Sequence, residues 1–418
     1  MLSEAAAQRA SSHPRTMSEI DLFHPDFFAN PYPTYTRLRE EQPVYWDERA
    51  QRWFIMRYAD VVAATIHPGV SAARIPPTAR IEAAGLGVME PVYAMMRQQM
   101  AFLDPPDHTR IRGLVHKAFS PSVVTALRGH IQTIADELLA PFEGAGGFDL
   151  IKDFAFPLPA IVIARMLGVR PEDRDQFKTW STDIAELVGN PARPMARLLE
   201  IEKSTFELVE YLRAAMIRLR RSPEDNLMSA LAQAEDAGSM LTEDELLANA
   251  VFVLVAGHET TTNLIANGIL SLIRAPEAMA TLRGDASRYP AAIEELLRFE
   301  SPLQMVGRVA REDIEIGGTA IEKGQVIALG LGSANHDPTV FDDPERLNLA
   351  RKDNKHLAFN QGAHYCIGAA LARIEGQIAI STVLRSAGDL RLERDDVPLE
   401  WNHNLSFRGL RSLPVLLR

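Results

Sequence analysis

The sequence predicts a mainly α fold with a small β region. Three observations carry this reading. The middle of the chain, from about residue 120 to residue 300, is helical in its hydrophobic period. Short β-branched and aromatic runs lie only toward the two ends. One segment of the middle, 243–275, is long enough to cross an entire core. Hydrophobic residues make up 46% of the 418 positions, ample for one large packed interior.

Taken in order, residues 1–20 carry Ala5-Ala6-Ala7 and Ser11-Ser12-His13-Pro14 and read as a flexible tail, leaving 21–418 as a single domain. The tail lacks the apolar stretch of a signal peptide. Runs at 44–46, 53–57, 314–316 and 326–331 have strand composition and are bounded by turn residues. The helical middle is stopped by Pro171, Pro191, Pro223 and Pro276, since proline cannot continue a helix. Thr242 and Glu245 have capping-box spacing at the start of 243–275, which at about 1.5 Å per residue spans roughly 50 Å. Its stretch 251–257 is apolar enough to be buried all round.

The formal net charge of −11 argues against general nucleic-acid binding, which needs a basic face. No run of about 18 uncharged apolar residues occurs, so no membrane anchor and a cytoplasmic location are expected. No Gly-x-Gly-x-x-Gly run follows a strand.

Cys366 is the sole cysteine. A lone thiol forms no intramolecular disulfide and builds no multi-cysteine metal site. It is an inert core group, a nucleophile, or one soft ligand for a large cofactor such as haem. Gly362 and Gly368 bracket it, and glycines there allow a tight turn and the close approach of a flat ligand. The helical segment 367–384 is expected to open at the sulfur, where free N–H groups stabilise a thiolate.

Inside the long helix, Gly257, His258, Glu259 and Thr260 are locally unfavourable: glycine costs about 1 kcal/mol against alanine, and buried polar groups cost more without partners. The plain structural account has Glu259 facing solvent and Thr260 bonding back to the preceding turn. His258-Glu259 begins a zinc-protease motif, but Thr262 stands where the second histidine belongs.

The run Phe359-Asn360-Gln361-Gly362-Ala363-His364-Tyr365-Cys366-Ile367-Gly368, continued by Leu371-Ala372-Arg373, resembles the haem loop of the cytochrome P450 superfamily, soluble bacterial type. Ala256-Gly257-His258-Glu259-Thr260-Thr261 resembles the oxygen-binding groove of the same family. The likeness extends from near Asp26 to the end of the chain. It implies the P450 fold, with haem b (iron protoporphyrin IX) between the long central helix and the cysteine-loop helix. Cys366 would be the axial iron ligand, Phe359 would shield the sulfur, and Asn360 stands where many members carry glycine. Gly257, beside Ala256, would open the helix toward the iron. Thr260 would hold dioxygen, and Glu259 would relay protons. His364, Arg308 and the pair His108 and Arg112 would bind the haem propionates. Glu295 and Arg298, at i and i+3, would brace the fold with Arg346 as third member.

The reaction implied is monooxygenation of a lipophilic small molecule by dioxygen. Peroxide-driven oxygenation and a non-catalytic haem sensor are the alternatives. Electrons would come from NAD(P)H through a separate ferredoxin and its reductase, docking near Arg110, Arg112 and Lys117. A monomer is expected. The substrate wall is expected from 75–100, 185–195, 303–306 and 405–407, with Met89, Met95, Met96 and Met100 as adaptable apolar surface.

Overall fold

In the computed structural model the described residues are 20–417, other than 120, 145, 188–193, 225, 234 and 237–238. Residues 1–19 of the expected tail and Pro191 therefore lie outside the described residues. Five helices and one sheet position the site. The helices are α1 (Asp107–Ala118), α2 (Met195–Arg221), α3 (Glu243–Arg274), α4 (Tyr289–Phe299) and α5 (Ala369–Ser386). The sheet strands are β1 (Val44–Asp47), β2 (Arg52–Ile55), β3 (Val70–Ser71), β4 (Met305–Ala310) and β5 (Val326–Gly330).

The long helix forms where its sequence demands. The Thr242 hydroxyl accepts from the Glu245 N–H (3.2 Å), and the Glu245 carboxylate accepts from the Thr242 N–H (2.9 Å). Glu243, Asp244 and Glu245 sit at the positive end of the helix dipole and Arg274 at the negative end. Pro276 then opens the next helix at its first turn.

Burial all round occurs later than expected. Every residue from Thr261 to Leu272 is buried, whereas Phe252, Ala256 and Gly257 are only half-buried because that face fronts a cavity. Helices α3 and α5 cross closely behind it. A Cβ on Gly376 would lie 3.0 Å from Leu264 Cδ2, and one on Gly268 would lie 3.0 Å from Ile380 Cδ1. Both glycines therefore set the crossing distance.

The sheet runs in the order β1-β2-β5-β4-β3. All neighbours pair antiparallel except β2 and β5, which are parallel, with Val326 opposite Arg52. The strands expected at 53–57 and 326–331 stop at Ile55 and Gly330, because Leu331 starts a short helix, Leu331–Ala334. Ile314–Ile316 forms a hairpin with Thr319–Ile321. Strand β4 was not expected; Gly307 and Arg308 interrupt its apolar pattern.

The chain ends meet on one buried arginine. Arg408 donates to Glu300 (2.7 Å) and to the carbonyls of Phe28 (2.8 Å) and Ala29 (3.2 Å), and its guanidinium lies 3.6 Å from the Trp401 ring centre. Next to it, the Ser406 carbonyl accepts from the Gln304 N–H, and Phe407 bridges to Leu303.

Candidate active site

The cysteine loop is built by backbone geometry. Asn360 (φ 56°) and Gly362 (φ 65°) are left-handed, a conformation that asparagine tolerates better than most side chains. The reversal lets the Cys366 N–H donate to the Phe359 carbonyl (2.9 Å). Helix α5 starts at Ala369, three residues past the sulfur and not at it, with Gly368 as its N-cap. The Gly368 N–H still reaches the sulfur. The thiol's accessible surface lies on the cavity wall, enclosed by protein. That enclosure pushes it above the ordinary thiol range, opposed by Gly368 N–H, Arg112 and Arg373.

Behind the loop stand two charge clusters. Glu295 and Arg298 are fully buried and doubly bonded at 2.9 Å. Arg298 also donates to the carbonyls of Asn335 and Pro344. The third member is Arg351, whose Nε lies 3.0 Å from Glu295; the expectation for Arg346 is overturned. The Arg346 side chain is exposed, and only its carbonyl meets Arg298 (3.4 Å). The second cluster joins Arg373 to Glu294 at 2.7 and 2.8 Å and lays the Arg373 guanidinium 4.5 Å over Phe359. Burial alone would raise the Glu294 carboxyl, but Arg373 and His356 bring it down to about 2.

One cavity of about 320 Å³ brings together Cys366, Phe359, Gly368, His364, His108, Arg112, Arg308, Ala256, Gly257 and Thr260. Gly362 shapes the turn from outside this wall. His108 and His364 are 4.1 Å apart, ring to ring, and both nitrogens of buried His108 lack a hydrogen-bond partner. Arg308 is 4% exposed and, among the described residues, donates only to the neighbouring Gly307 carbonyl (2.8 Å). Burial lowers its guanidinium to about 10, with Asp104 opposing. Burial, then Arg308, lowers His364 to about 3, so it is neutral as it stands.

On the facing helix, the Thr260 hydroxyl donates to the Ala256 carbonyl (2.7 Å), as the plain account expected. Its oxygen lone pairs remain available on the cavity side. Glu259 is not fully solvated. It is half-buried off the cavity wall, accepts a long bond from Asn263 Nδ2 (3.4 Å), and burial raises its carboxyl. A Cβ on Gly257 would lie 3.0 Å from Ile163 Cδ1, so this glycine admits the helix Pro157–Met166 as much as it borders the cavity. His258 turns inward, 3.2 Å from the Ser181 hydroxyl and edge-on to Phe156.

The cytochrome P450 family profile matches residues 80–396. The chain belongs to the cytochrome P450 family. It is 39% identical over 403 residues to cytochrome P450 107B1 of Saccharopolyspora erythraea, covering 95% of this chain and 97% of that one. It is 36% identical over 404 residues to a vitamin D(3) 25-hydroxylase of Pseudonocardia autotrophica, covering 95% and 96%. The solved Bacillus subtilis cytochrome P450 PksS of bacillaene synthesis superposes with a TM-score of 0.87 at 35% identity, over 95% of this chain and 99% of that one. The protein is a P450 monooxygenase of a family that hydroxylates small molecules, and such enzymes use a haem. The cavity suits one. Cys366, the Gly257-bearing helix α3, the guanidinium-bearing Arg112 and Arg308, and the unpartnered nitrogens of His108 all line one space, a donor set that would suit a flat dianionic macrocycle.

The remaining wall of this P450 is mostly apolar: Val92, Met95, Met96, Met100, Leu303 and Phe407 among others. Met89 is absent from it; fully buried, it packs with Val92 and Leu198. Of 185–195, Leu187 lines the cavity, and 188–193 lie outside the described residues. Two polar residues on the wall were missed. Glu375, on α5, is buried, bonded to Thr261, and raised by burial to about 8. Its position just after the cysteine motif, on an apolar helix, was the available signal. The other is Arg74, which no motif marks. At the expected docking face, Arg110 is paired with Glu245 and Arg112 donates to the Tyr365 carbonyl (2.6 Å). The side chain of Lys117 lies outside the described ones. No described helix is long and apolar enough to cross a membrane.

Proposed function

We propose that this P450 hydroxylates a medium-to-large lipophilic molecule, with residues 21–418 acting as one haem b domain and Cys366 as the axial ligand. The carrying observation is that the only cysteine shares one cavity with Thr260 and with unpartnered His108. Haem, when bound, supplies the redox chemistry by which one atom of dioxygen enters the substrate and the other leaves as water.

The chain's own residues do the rest. His108, Arg112, Arg308 and His364 hold the propionates, and Phe359 keeps water from the sulfur. Met95, Met96, Met100 and Phe407 bury the substrate and exclude solvent. Thr260 Oγ accepts a hydrogen bond at the reacting centre while its own O–H stays donated to the Ala256 carbonyl. Glu259, held toward its neutral form by burial, is the proton store. Because it sits one residue from Thr260 and off the wall, its carboxyl must rotate away from Asn263 to deliver. This acid–alcohol pair favours dioxygen over peroxide as oxidant.

The vitamin D(3) 25-hydroxylase relative supports a bulky apolar substrate. A ferredoxin and its NAD(P)H-dependent reductase, in the cytoplasm, are the proposed electron source, with Arg112 and Lys117 on the docking side. The test is the ferrous–carbon monoxide spectrum. The red-shifted thiolate band is expected in the wild type and lost in Cys366→Ser. NAD(P)H consumption through ferredoxin, stimulated by substrate, is expected to exceed any turnover on peroxide.

A further inference from the structure

Arg74 follows β3 and turns into the same cavity. Its guanidinium stacks 4.4 Å over Phe102. Among the described residues its only hydrogen bonds are two at 3.5 Å, to the carbonyls of Ala72 and Ala101, the outer limit of such a contact. A guanidinium has five N–H donors and is costly to bury without an anion. Yet the charged groups bearing most on Arg74 are two further cations, Arg308 and Arg52, and together with burial they lower it to about 9.

The fold makes room for this arrangement. A Cβ on Gly307 would lie 2.8 Å from Arg74 Nε, so only glycine at 307 lets Arg74 lie flat beside Arg308. Asp104, the acid that bears on neighbouring Arg308, is already engaged. It accepts from the Ser71 hydroxyl and from the Ala72 N–H (2.9 Å).

We infer that Arg74 is a carboxylate-binding residue of the cavity, held in place by Gly307 and Phe102 for an anion that the polypeptide does not supply. A planar fork matched to a carboxylate is the chemistry guanidinium recognises best. Two sources offer that group: a haem propionate, or an acid function on the substrate. The inference rests on the haem cavity proposed above.

The test compares Arg74→Gln, Arg74→Lys and Gly307→Ala with the wild type in two assays. One is the rate of haem transfer to apomyoglobin. The other is the spin-state titration with hexadecanoic acid against hexadecan-1-ol. Faster haem loss in Arg74→Gln, by about tenfold or more, with the acid-to-alcohol preference intact assigns a propionate. Acid affinity weaker by about tenfold, with the alcohol unchanged, assigns the substrate. In either case Arg74→Lys is expected to recover part of the loss, and Gly307→Ala to reproduce part of it with the charge still present. Changes within about twofold in both assays overturn the inference. If Arg74→Gln does not fold, Gly307→Ala and Arg74→Lys decide by the same criteria. A wild type without the thiolate band defeats the haem reading itself, whereas a loss confined to the variants bears on Arg74 alone.

Discussion

Two buried charge groups lie on either side of the cysteine loop, and they are built on opposite terms. Around Glu295, every charge has its partner: Arg298 and Arg351 on the carboxylate, the Asn348 N–H and Asn354 amide completing it, and main-chain carbonyls on Arg298. Around Arg308, cations and imidazoles crowd together with little to bind. A closed set of partners holds the polypeptide in shape. An open set is waiting for something else.

The largest effect expected from this contrast is at the closed cluster. Arg298→Ala leaves Glu295 buried and under-partnered and should cost about 3–5 kcal/mol in denaturant unfolding. Glu294 tests an intermediate case, because it is well paired but lies nearer the surface. Its carboxyl is held at about 2 against an ordinary 4.5. The folded chain therefore binds this proton less readily than the unfolded chain. The stabilisation is complete above pH 4.5 and drains away as pH falls toward 2. Acid titration of unfolding should lose about 2 kcal/mol of this dependence in Glu294→Gln.

At the open cluster the sign reverses for the apoprotein. Arg308→Gln should leave apoprotein stability unchanged or raise it by about 1 kcal/mol, while speeding haem loss by about tenfold. Destabilised apoprotein would break the distinction between the clusters. The smallest effect is expected at Asn360, whose buried Oδ1 lacks a partner on the cavity wall. Asn360→Gly keeps the left-handed turn and should change stability by less than about 1 kcal/mol, with the carbon monoxide spectrum retained.

Local signals reported local structure faithfully. The capping box of Thr242 and Glu245, the helix-ending Pro223 and Pro276 and the bracketing of Cys366 by glycines all act over a few residues. What escaped the sequence depends on distant segments meeting. Arg351 and Arg346 are equally plausible on paper, and only the chain's path from Pro344 to Asn354 decides which side chain reaches Glu295. The residues alone left Glu259 open between a solvated face and a proton relay, because its helix has no periodic polar face to decide. Its inward position follows from packing around Asn263. Arg74 lies in an irregular segment, and its importance arises from Gly307, more than two hundred positions away.

The Arg408 knot has a practical consequence for anyone trimming or tagging this enzyme. Because one guanidinium fastens the carbonyls of Phe28 and Ala29 beside Ser406 and Phe407, residues 28–29 are tied to two residues of the cavity wall. Removing Phe28 and Ala29 would therefore strip two acceptors from a buried guanidinium and loosen the cavity wall at Ser406 and Phe407 together with the anchor.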